Sequence, residues 1–343
     1  MSFPFLRLPQ VVLSIIVNLA EPNQLICLTQ CSKRSYNLVK TYRKKSENVK
    51  IVIGGFGNTV EVFLDGTENC RLILDSVYRK QNYVERDYPR TNLFGADFQL
   101  ALYFSKIWEL NWYDPTTDGV LTLIDWTTDL FRTDVSSLRI WNGNVHVHRL
   151  KWIESRQGRI DKLNLWAHDY RDKELQCLFH SKAKKLHLRS VPSWFQYPGV
   201  LPSGTFFRSS ESLWFTLNHL MTSDFIELRI HNSILTNSNV NQFLKHWLAG
   251  GSPRLKTLSL EIVGVDINEI TRGIGNIFPE EDFRSQEYWT PTGNQLTFKD
   301  RIYLKRSDGV IATCCITDYK IHQMLILAVW PDSKNNACLI NNF

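Results

Sequence analysis

The chain has 343 residues, of which 43% are hydrophobic and 22% are charged, and this length allows a large core and more than one structural module. Residues 1–50 hold eight basic and two acidic side chains, an excess that equals the net charge of +6 of the whole chain. The basic and acidic side chains of the remaining residues are therefore equal in number. A basic surface over the whole protein, which a general nucleic-acid-binding function needs, is therefore excluded.

Three short helices are predicted in the first 45 residues. Pro9 suits the first turn of a helix, and Pro22 ends that helix. Asn23 can cap a second helix and Ser32 a third. Three helices of this size form too small a core to be stable alone, so they need the following domain or another protein. The apolar stripe of the first helix consists of Val11, Val12, Ile15, Ile16 and Leu19, with Leu13 and Val17 on the remaining face.

A secretory signal is the alternative interpretation of residues 11–20, which form an apolar run of suitable length. Pro9 and Asn18 oppose it, and no N-x-[ST] sequon occurs in the sequence. The run is too short to span a bilayer. Seven cysteines without a C-x-x-C pair are typical of reduced thiols in a cytoplasmic or nuclear protein.

The N-terminal sequence resembles an F-box. The resemblance rests on Leu6-Arg-Leu-Pro9, on Leu25-Ile-x-Leu28 and on Cys31-Ser-Lys33. It implies docking onto the Skp adaptor of Skp–cullin–F-box ubiquitin ligases. The acidic character of that adaptor would suit the basic residues 33–50, although a solvated helix end is the simpler interpretation of such a run. The positions that the resemblance assigns to adaptor contact or to the core of the module are Leu6, Pro9, Val12, Ile16, Leu25 and Leu28.

Short strands are predicted next, at residues 49–53, 60–64 and 70–75, with turns between them. The glycine-rich residues 54–57 lack the spacing of a dinucleotide-binding loop, and no P-loop lysine follows them. We therefore predict a turn at residues 54–57.

A degenerate repeat is predicted after residue 100. Leucine-rich repeats have periods of about 20–29 residues, and each repeat carries a Leu-x-Leu strand. Helical segments at residues 120–131, 174–180, 213–221 and 240–248 fit between such strands, which predicts parallel strands with helices on one side. An ordinary α/β domain remains the alternative. The pattern apolar-x-x-Leu-x-apolar begins at Ile107, Val135, Ile160, Ala183, Phe225 and Leu255.

The longest interval between two successive strand patterns, from Ala183 to Phe225, is predicted to hold a loop insertion, residues 190–210. Its aromatic residues lie among prolines and glycines, and insertions in solenoids often form the binding face. They are therefore candidates for target binding, or they fold back to cover a gap in the core. These aromatic residues are Trp194, Phe195, Tyr197, Phe206 and Phe207.

The C-terminal part is predicted to be a hairpin of residues 301–306 and 310–316, turning at Ser307-Asp-Gly309, followed by a strand at residues 321–330. Together with residues 243–258, this segment resembles the F-box-associated domain of the second type, which occurs with an F-box in one large expanded family. The resemblance implies recruitment of a protein substrate.

No hydrolase, zinc-protease or kinase motif occurs in the sequence. His146 and His148 are predicted to share a strand face, but they lack further residues at ligand spacing. We therefore predict no catalytic residue, no metal and no cofactor.

The sequence predicts an α/β protein in which a three-helix F-box precedes an irregular leucine-rich-repeat-like domain and a β-hairpin region. The predicted domains are an F-box at 1–46, a short β linker region at 47–100, the repeat domain at 101–265 and a C-terminal β region at 266–343. The predicted function is a non-enzymatic substrate adaptor of a Skp–cullin–F-box ubiquitin ligase in the cytoplasm or nucleus. It would bind the Skp adaptor and a target protein, and neither nucleic acid nor membrane. The alternatives are a stand-alone repeat-type binding module without a ligase role, an unrecognised hydrolase and a secreted protein.

Overall fold

Contacts divide the chain into two compact units, residues 1–141 and 142–343. The domain boundaries predicted after residues 46, 100 and 265 stay predictions. The turn predicted at 54–57 lies mostly outside the described residues. The computed structural model describes residues 5–45, 49–54, 59–64, 67–78, 90–93, 96–102, 107–112, 118–141, 144–166, 172–275, 277–278, 287–298, 301–319 and 322–330.

The first unit begins with the three predicted helices, α1 (Gln10–Leu19), α2 (Pro22–Cys31) and α3 (Lys33–Tyr42). Ser32 caps α3 as predicted, since its hydroxyl accepts a hydrogen bond from the backbone N–H of Ser35. The predicted cap of α2 is wrong: Glu21 caps this helix instead of Asn23. Glu21 and Gln24 bond each other's backbone N–H in a capping box, which puts Pro22 at the first helical position, where no N–H is needed.

A buried arginine joins the end of α1 to the end of α3. The guanidinium of Arg43 donates hydrogen bonds to the carbonyl oxygens of Val17 at 2.9 Å and Asn18 at 3.2 Å. The side-chain amide of Asn18 donates in turn to the carbonyl of Tyr42 at 3.0 Å. The two bonds from Arg43 satisfy carbonyls at the end of α1 that have no partner within the helix. Burial lowers the pKa of Arg43.

After α3, the described residues of the first unit form a sheet and the helix α4 (Gly119–Phe131), which packs on β1, β2 and β3. The strand order is β7-β1-β2-β3-β6-β5-β4, and only the β7/β1 and β3/β6 pairs among those described are parallel. The strands are β1 (Val49–Ile53), β2 (Thr59–Leu64), β3 (Thr67–Tyr78), β4 (Arg90–Leu93), β5 (Ala96–Leu102), β6 (Ile107–Trp112) and β7 (Val135–Ile140).

The second unit alternates helices and strands before it ends in antiparallel strands. Its helices are α5 (Asn144–Gln157), α6 (Asp172–Phe179), α7 (Leu217–Thr222), α8 (Asn237–Leu248) and α9 (Ile267–Ile270). Its first strands are β8 (Lys162–Trp166), β9 (Lys185–Arg189), β10 (Gly204–Ser209), β11 (Phe225–Ile230) and β12 (Thr257–Glu261). The later strands are β13 (Ile277–Phe278), β14 (Glu287–Trp289), β15 (Gln295–Thr297), β16 (Arg301–Lys305), β17 (Ile311–Tyr319) and β18 (His322–Val329).

Strands β8 to β12 are parallel neighbours, and their register aligns the Leu-x-Leu positions in two buried rows. Because side chains alternate between faces along a strand, each Leu-x-Leu pair points to the same side. The predicted parallel arrangement is therefore present from β8 onwards. One row is Leu163, Leu186, Phe207, Leu228 and Leu258, and the other is Leu165, Leu188, Ser209, Ile230 and Leu260.

Two details of the predicted repeat are wrong. The insertion predicted at 190–210 contains a strand, β10, in which Phe207 and Ser209 stand at the Leu-x-Leu positions. The strand pattern that begins at Ile107 belongs to β6. In the sheet, β6 is separated from β7 by β1, β2 and β3, so β6 is not the first strand of the parallel repeat series. The predicted strand face with His146 and His148 is also wrong, because both residues lie on α5.

The C-terminal hairpin and third strand are confirmed as β16, β17 and β18, and β18 pairs antiparallel with β12. Strands β14 and β15 form a separate two-stranded sheet. Tyr288 of β14 packs with Phe298, Cys315 and Ile326. Its single hydroxyl hydrogen is shared between the carbonyl oxygens of Lys256 at 3.0 Å and Val329 at 3.1 Å.

The α/β class and the N-terminal three-helix arrangement are thus confirmed. None of the helices among the described residues has both the length and the apolar character needed to cross a bilayer.

Candidate protein-binding site

One face of α1 is apolar and exposed. Its five large side chains are between 37% and 79% exposed, in a helix whose opposite face is buried in the unit. Exposed apolar side chains that lie together on one surface are a common sign of a protein-binding site. The five side chains are Val11, Val12, Ile15, Ile16 and Leu19.

The buried face of α1 is the narrow one. Leu13 and Val17 are buried, and they are the two residues that the sequence placed outside the main apolar stripe. The helix is apolar on both sides, so packing within the chain covers only the smaller share of its apolar surface.

The six residues that the F-box resemblance assigned fall into three environments. Pro9, Val12 and Ile16 are exposed, and Leu6 and Leu28 are half-buried. Leu25 is fully buried and can only support the module from inside. The three exposed residues all lie at or within α1.

The basic residues near α3 divide into structural and exposed ones. Lys40 forms an ion pair with Asp129 of α4 at 2.7 Å, and the hydrogen bond to that carboxylate raises the pKa of Lys40. Tyr36 donates a hydrogen bond to the same carboxylate at 3.4 Å, and Arg132 donates to the carbonyl of Lys40 at 2.8 Å. These three contacts hold α3 against α4. The other basic side chains near α3 are exposed, namely Lys33, Arg34, Lys44 and Lys45.

The five aromatic residues proposed for target binding are not equivalent. Phe195, Tyr197, Phe206 and Phe207 are buried, and Trp194 is 58% exposed. Burial within the chain, the alternative to target binding, therefore applies to the two loop residues Phe195 and Tyr197. Phe206 and Phe207 belong to β10 and not to a loop.

The buried aromatics of the loop at residues 190–203 pack on side chains from other elements. Phe195 stacks on Phe179 with ring centroids 5.7 Å apart, and Tyr197 stacks on the same ring at 4.4 Å. Trp214 meets all three rings edge-on. The ring of His219 lies 2.8 Å from the carbonyl of Tyr197, and burial lowers the pKa of this histidine. The loop is thus fixed to the core.

Sequence reasoning missed a second surface, formed by the residues of β8 to β11 that alternate with the two buried rows. These positions point away from the buried rows and hold several cations, including Arg189, Arg208 and Arg229. Part of the signal was present in the sequence, since reading every second residue of the predicted strands identifies Arg189 and Arg229, whereas Arg208 lies on β10, which was not predicted as a strand.

The described residues contain no group of three or more His, Cys, Asp or Glu side chains that could hold a metal ion. Four cysteines among the described residues are free thiols. Cys27 and Cys31 are exposed on α2, and Cys314 and Cys315 are buried in β17. Burial raises the pKa of Cys315 to about 12, which keeps this thiol protonated and unreactive at neutral pH.

Comparison with known proteins finds a family match within the second unit. Residues 203–260, from the start of β10 to the end of β12, match the family model described as "F-box associated". The chain is also similar to the "Skn-1 dependent zygotic transcript 15 protein" of Caenorhabditis elegans, with 23% identity over 293 residues that cover 80% of this chain and 83% of that protein. No solved structure matches the chain. The resemblance to the F-box-associated family is therefore confirmed.

Proposed function

We propose that this chain, which carries an F-box-associated segment, is a non-catalytic substrate adaptor of a Skp–cullin–F-box ubiquitin ligase. Helices α1 to α3 would act as the F-box and bind a Skp-type adaptor. The second unit, with its irregular leucine-rich-repeat-like ladder, would hold the target protein. Ubiquitin transfer would occur on other subunits, and this chain would contribute by bringing the target close to them. Such a role belongs in the cytoplasm or nucleus.

The observation that carries this proposal is the exposed apolar face of α1. Complete burial of one Val, Leu or Ile side chain contributes about 1.5–3 kcal/mol relative to full exposure. Burial of five such side chains against a partner would therefore contribute a substantial favourable free energy of binding. The cost of association is subtracted from this contribution. Val12 and Ile16 are assigned to adaptor contact by the F-box resemblance, and both lie on this face.

The proposal is tested by co-purification of a Skp-type adaptor with the full chain and its variants. Val12→Asp combined with Ile16→Asp should abolish adaptor recovery, because two carboxylates would be desolvated at the contact. Val263→Asp is the matched control, since Val263 is an exposed valine in the second unit. All proteins should give the same thermal unfolding temperature, which excludes misfolding as the cause.

Equal recovery of the adaptor with the double variant and with wild type would contradict the docking role. Retention by a Pro9→Ala, Ile16→Asp chain would contradict it as well. Loss of the adaptor from the Val263→Asp control would show that the assay does not report on α1.

A stand-alone binding module is the second candidate, and the contacts between α3 and α4 favour it. Lys40, Tyr36 and Arg132 hold α3 against α4 in the way a helical cap would be held. This function predicts that deletion of residues 1–45 lowers the stability of the remainder, and that no adaptor co-purifies with the full chain. The ligase function predicts adaptor recovery that depends on Val12 and Ile16.

A further inference from the structure

The loops that follow β9, β10, β11 and β12 each carry one large apolar side chain that is exposed. Because these strands are parallel, their carboxyl ends lie at one edge of the sheet, where α/β proteins commonly bind their ligands. The four exposed side chains are Trp194, Leu213, Ile234 and Val263. We call this edge the loop rim, which comprises residues 190–194, 210–213, 231–234 and 261–264.

The strand register of β10 and β11 continues into their loops. Ser212 forms an isolated parallel bridge with Ser233, with the same offset as the strand pairs before it. Both serines are buried, and the residues that follow them, Leu213 and Ile234, are exposed. Since bridged strands lie about 4.8 Å apart, Leu213 and Ile234 are neighbours on the loop rim.

The loop after β12 is bonded to the loop after β11. The hydroxyl of Ser233 donates to the carbonyl of Glu261 at 2.8 Å, and the side-chain amide of Asn237 donates to the carbonyl of Gly264 at 2.9 Å. Val263 lies between these two acceptors in the sequence. These bonds therefore place Val263 next to the loop that carries Ile234.

The loop after β9 is joined to the loop after β10 by aromatic packing. The ring of Phe195 meets that of Trp214 edge-on, with centroids 5.9 Å apart. Their sequence neighbours Trp194 and Leu213 are the exposed residues at this end of the loop rim. The four apolar side chains thus form one row across four strands, a length of about 14 Å. Single exposed apolar residues are ordinary, whereas a row of them indicates a contact surface.

The charge beside this row is negative. None of the four segments of the loop rim contains Lys or Arg, and neither do the residues that continue them, 214–219, 235–240 and 265–271. Glu211 is exposed, and among the described residues no ion pair involves its carboxylate. The carboxylates in these segments are Glu211, Glu261, Asp266 and Glu269.

Three of these carboxylates have contacts within the chain. Glu261 lies 3.4 Å from His231, and burial lowers the pKa of this histidine, so His231 is neutral at neutral pH and does not offset the charge. Asp266 caps α9 with its side chain. Glu269 lies 4.0 Å from Arg272, which is the nearest cation beyond the segment. The net charge of the loops after β10 to β12 is therefore negative.

The basic side chains of the adjoining strands are held away from the loop rim or within the sheet. Arg229 pairs with the buried Glu227 at 2.6 Å. Arg189, at the end of β9, lies over the ring of Trp166 of β8 at 4.3 Å. Arg208 is half-buried within β10. The loop rim itself combines exposed apolar side chains with carboxylates.

We propose that the loop rim binds a segment of the target protein in which apolar residues alternate with Lys and Arg. The apolar row would bury the apolar side chains of such a segment, and the adjoining carboxylates would attract its cations. The assignment of the segment to a recruited target rests on the proposed ligase function. Binding of the segment itself does not depend on that function, because the loop rim lies in the second unit.

The test measures binding of labelled synthetic peptides of equal length to the full chain by fluorescence anisotropy. One peptide repeats Leu-Lys-Ser, one replaces Lys with Glu, and one replaces Leu with Ser. The Leu-Lys-Ser peptide should bind at least about tenfold more tightly than the other two, and added salt should weaken its binding. The whole chain has a net charge of +6, so a general attraction for cationic peptides is not expected.

Variants locate the binding on the loop rim. Ile234→Asp should weaken binding of the Leu-Lys-Ser peptide by at least about tenfold. Val200→Asp is the matched control, because Val200 is 62% exposed against 57% for Ile234 and precedes β10, at the opposite end of the strands. Glu211→Lys should also weaken binding of this peptide, because it reverses the charge beside the row. Leu213→Ser with Ile234→Ser is the milder pair if Ile234→Asp fails to fold.

Equal weakening by Val200→Asp, or equal affinity for the Lys and Glu peptides, would overturn the proposal. Self-association of the full chain that Ile234→Asp abolishes, measured by analytical ultracentrifugation, would overturn the assignment to a target, because the occupant would then be a second copy with its basic N-terminal residues.

The two proposals fail in different measurements. Adaptor co-purification should be unchanged in the Ile234→Asp protein, and the protein with Val12→Asp and Ile16→Asp should bind the Leu-Lys-Ser peptide as wild type does. Loss of peptide binding without loss of the adaptor would therefore count against the loop rim alone.

Discussion

Helix α1 and the loop at residues 190–203 are both rich in large apolar side chains, but the protein uses them differently. The loop places Phe195 and Tyr197 against Phe179 and Trp214, so its aromatics are buried within the chain. Helix α1 buries only Leu13 and Val17, while its wider apolar face is exposed. Apolar composition therefore does not identify a binding surface; the presence or absence of an internal packing partner does.

The largest difference is expected between two neighbouring residues of the loop. Phe195→Ala should lower the free energy of unfolding by about 3–5 kcal/mol, because it removes a buried ring from a stacked cluster. Trp194→Ala, the exposed neighbour, should change it by less than about 0.5 kcal/mol. Urea denaturation of both variants measures the contrast, and similar losses would mean that the loop is not fixed to the core.

Helix α1 offers the same contrast on opposite faces. Val17→Ala should cost about 2–3 kcal/mol because Val17 is fully buried. Ile15→Ala, on the exposed face, should leave the unbound chain within about 0.5 kcal/mol of wild type. If Ile15→Ala proves as destabilising as Val17→Ala, the face is packed internally and is not available to a partner.

The polar contact between α1 and α3 is expected to have a slightly smaller effect. Arg43→Ala removes charged hydrogen bonds to Val17 and Asn18 and should destabilise the chain by about 2 kcal/mol. Lys44→Ala is the control, because Lys44 is exposed and bonds to Asn18 through its backbone N–H, which the substitution keeps. Thermal and urea unfolding of the two proteins compare them directly, and a neutral Arg43→Ala would show that these bonds add nothing.

The smallest effect concerns the contact between α3 and α4. Asp129→Asn removes the ion pair with Lys40, and both side chains are about one-third to one-half exposed, so the loss should stay below about 1 kcal/mol. High salt should reduce this difference further. A loss of several kcal/mol would indicate that α4 holds the N-terminal helices far more strongly than exposed charges can.

Local signals made part of the fold predictable. Pro9, Pro22 and Ser32 mark the three N-terminal helices, and the Leu-x-Leu pairs mark β8, β9, β11 and β12. Strand β10 was missed because Phe207 and Ser209 replace the two leucines of the pattern. Helix α5 was missed because its buried residues include the charged Arg149 beside Val147, Leu150 and Ile153, which leaves only a weak helical stripe.

Contacts between distant residues made the rest unpredictable. The burial of Phe195 depends on Phe179 and Trp214, which lie in other elements and share no sequence pattern with it. In α1 the sequence shows two apolar faces, and only packing against other elements decides which of them is covered. The burial of Leu13 and Val17 and the exposure of the wider face therefore also depend on residues distant in the sequence. The exposure of Val12 and Ile16 could therefore be expected from the F-box resemblance but not from periodicity.

Hydrogen–deuterium exchange of the full chain, with and without a saturating Skp-type adaptor, tests the central claim most directly. If the apolar face of α1 is the docking surface, amide exchange should slow in residues 10–19 and stay unchanged in residues 190–203. Exchange in α1 that is the same with and without the adaptor would contradict the proposed function.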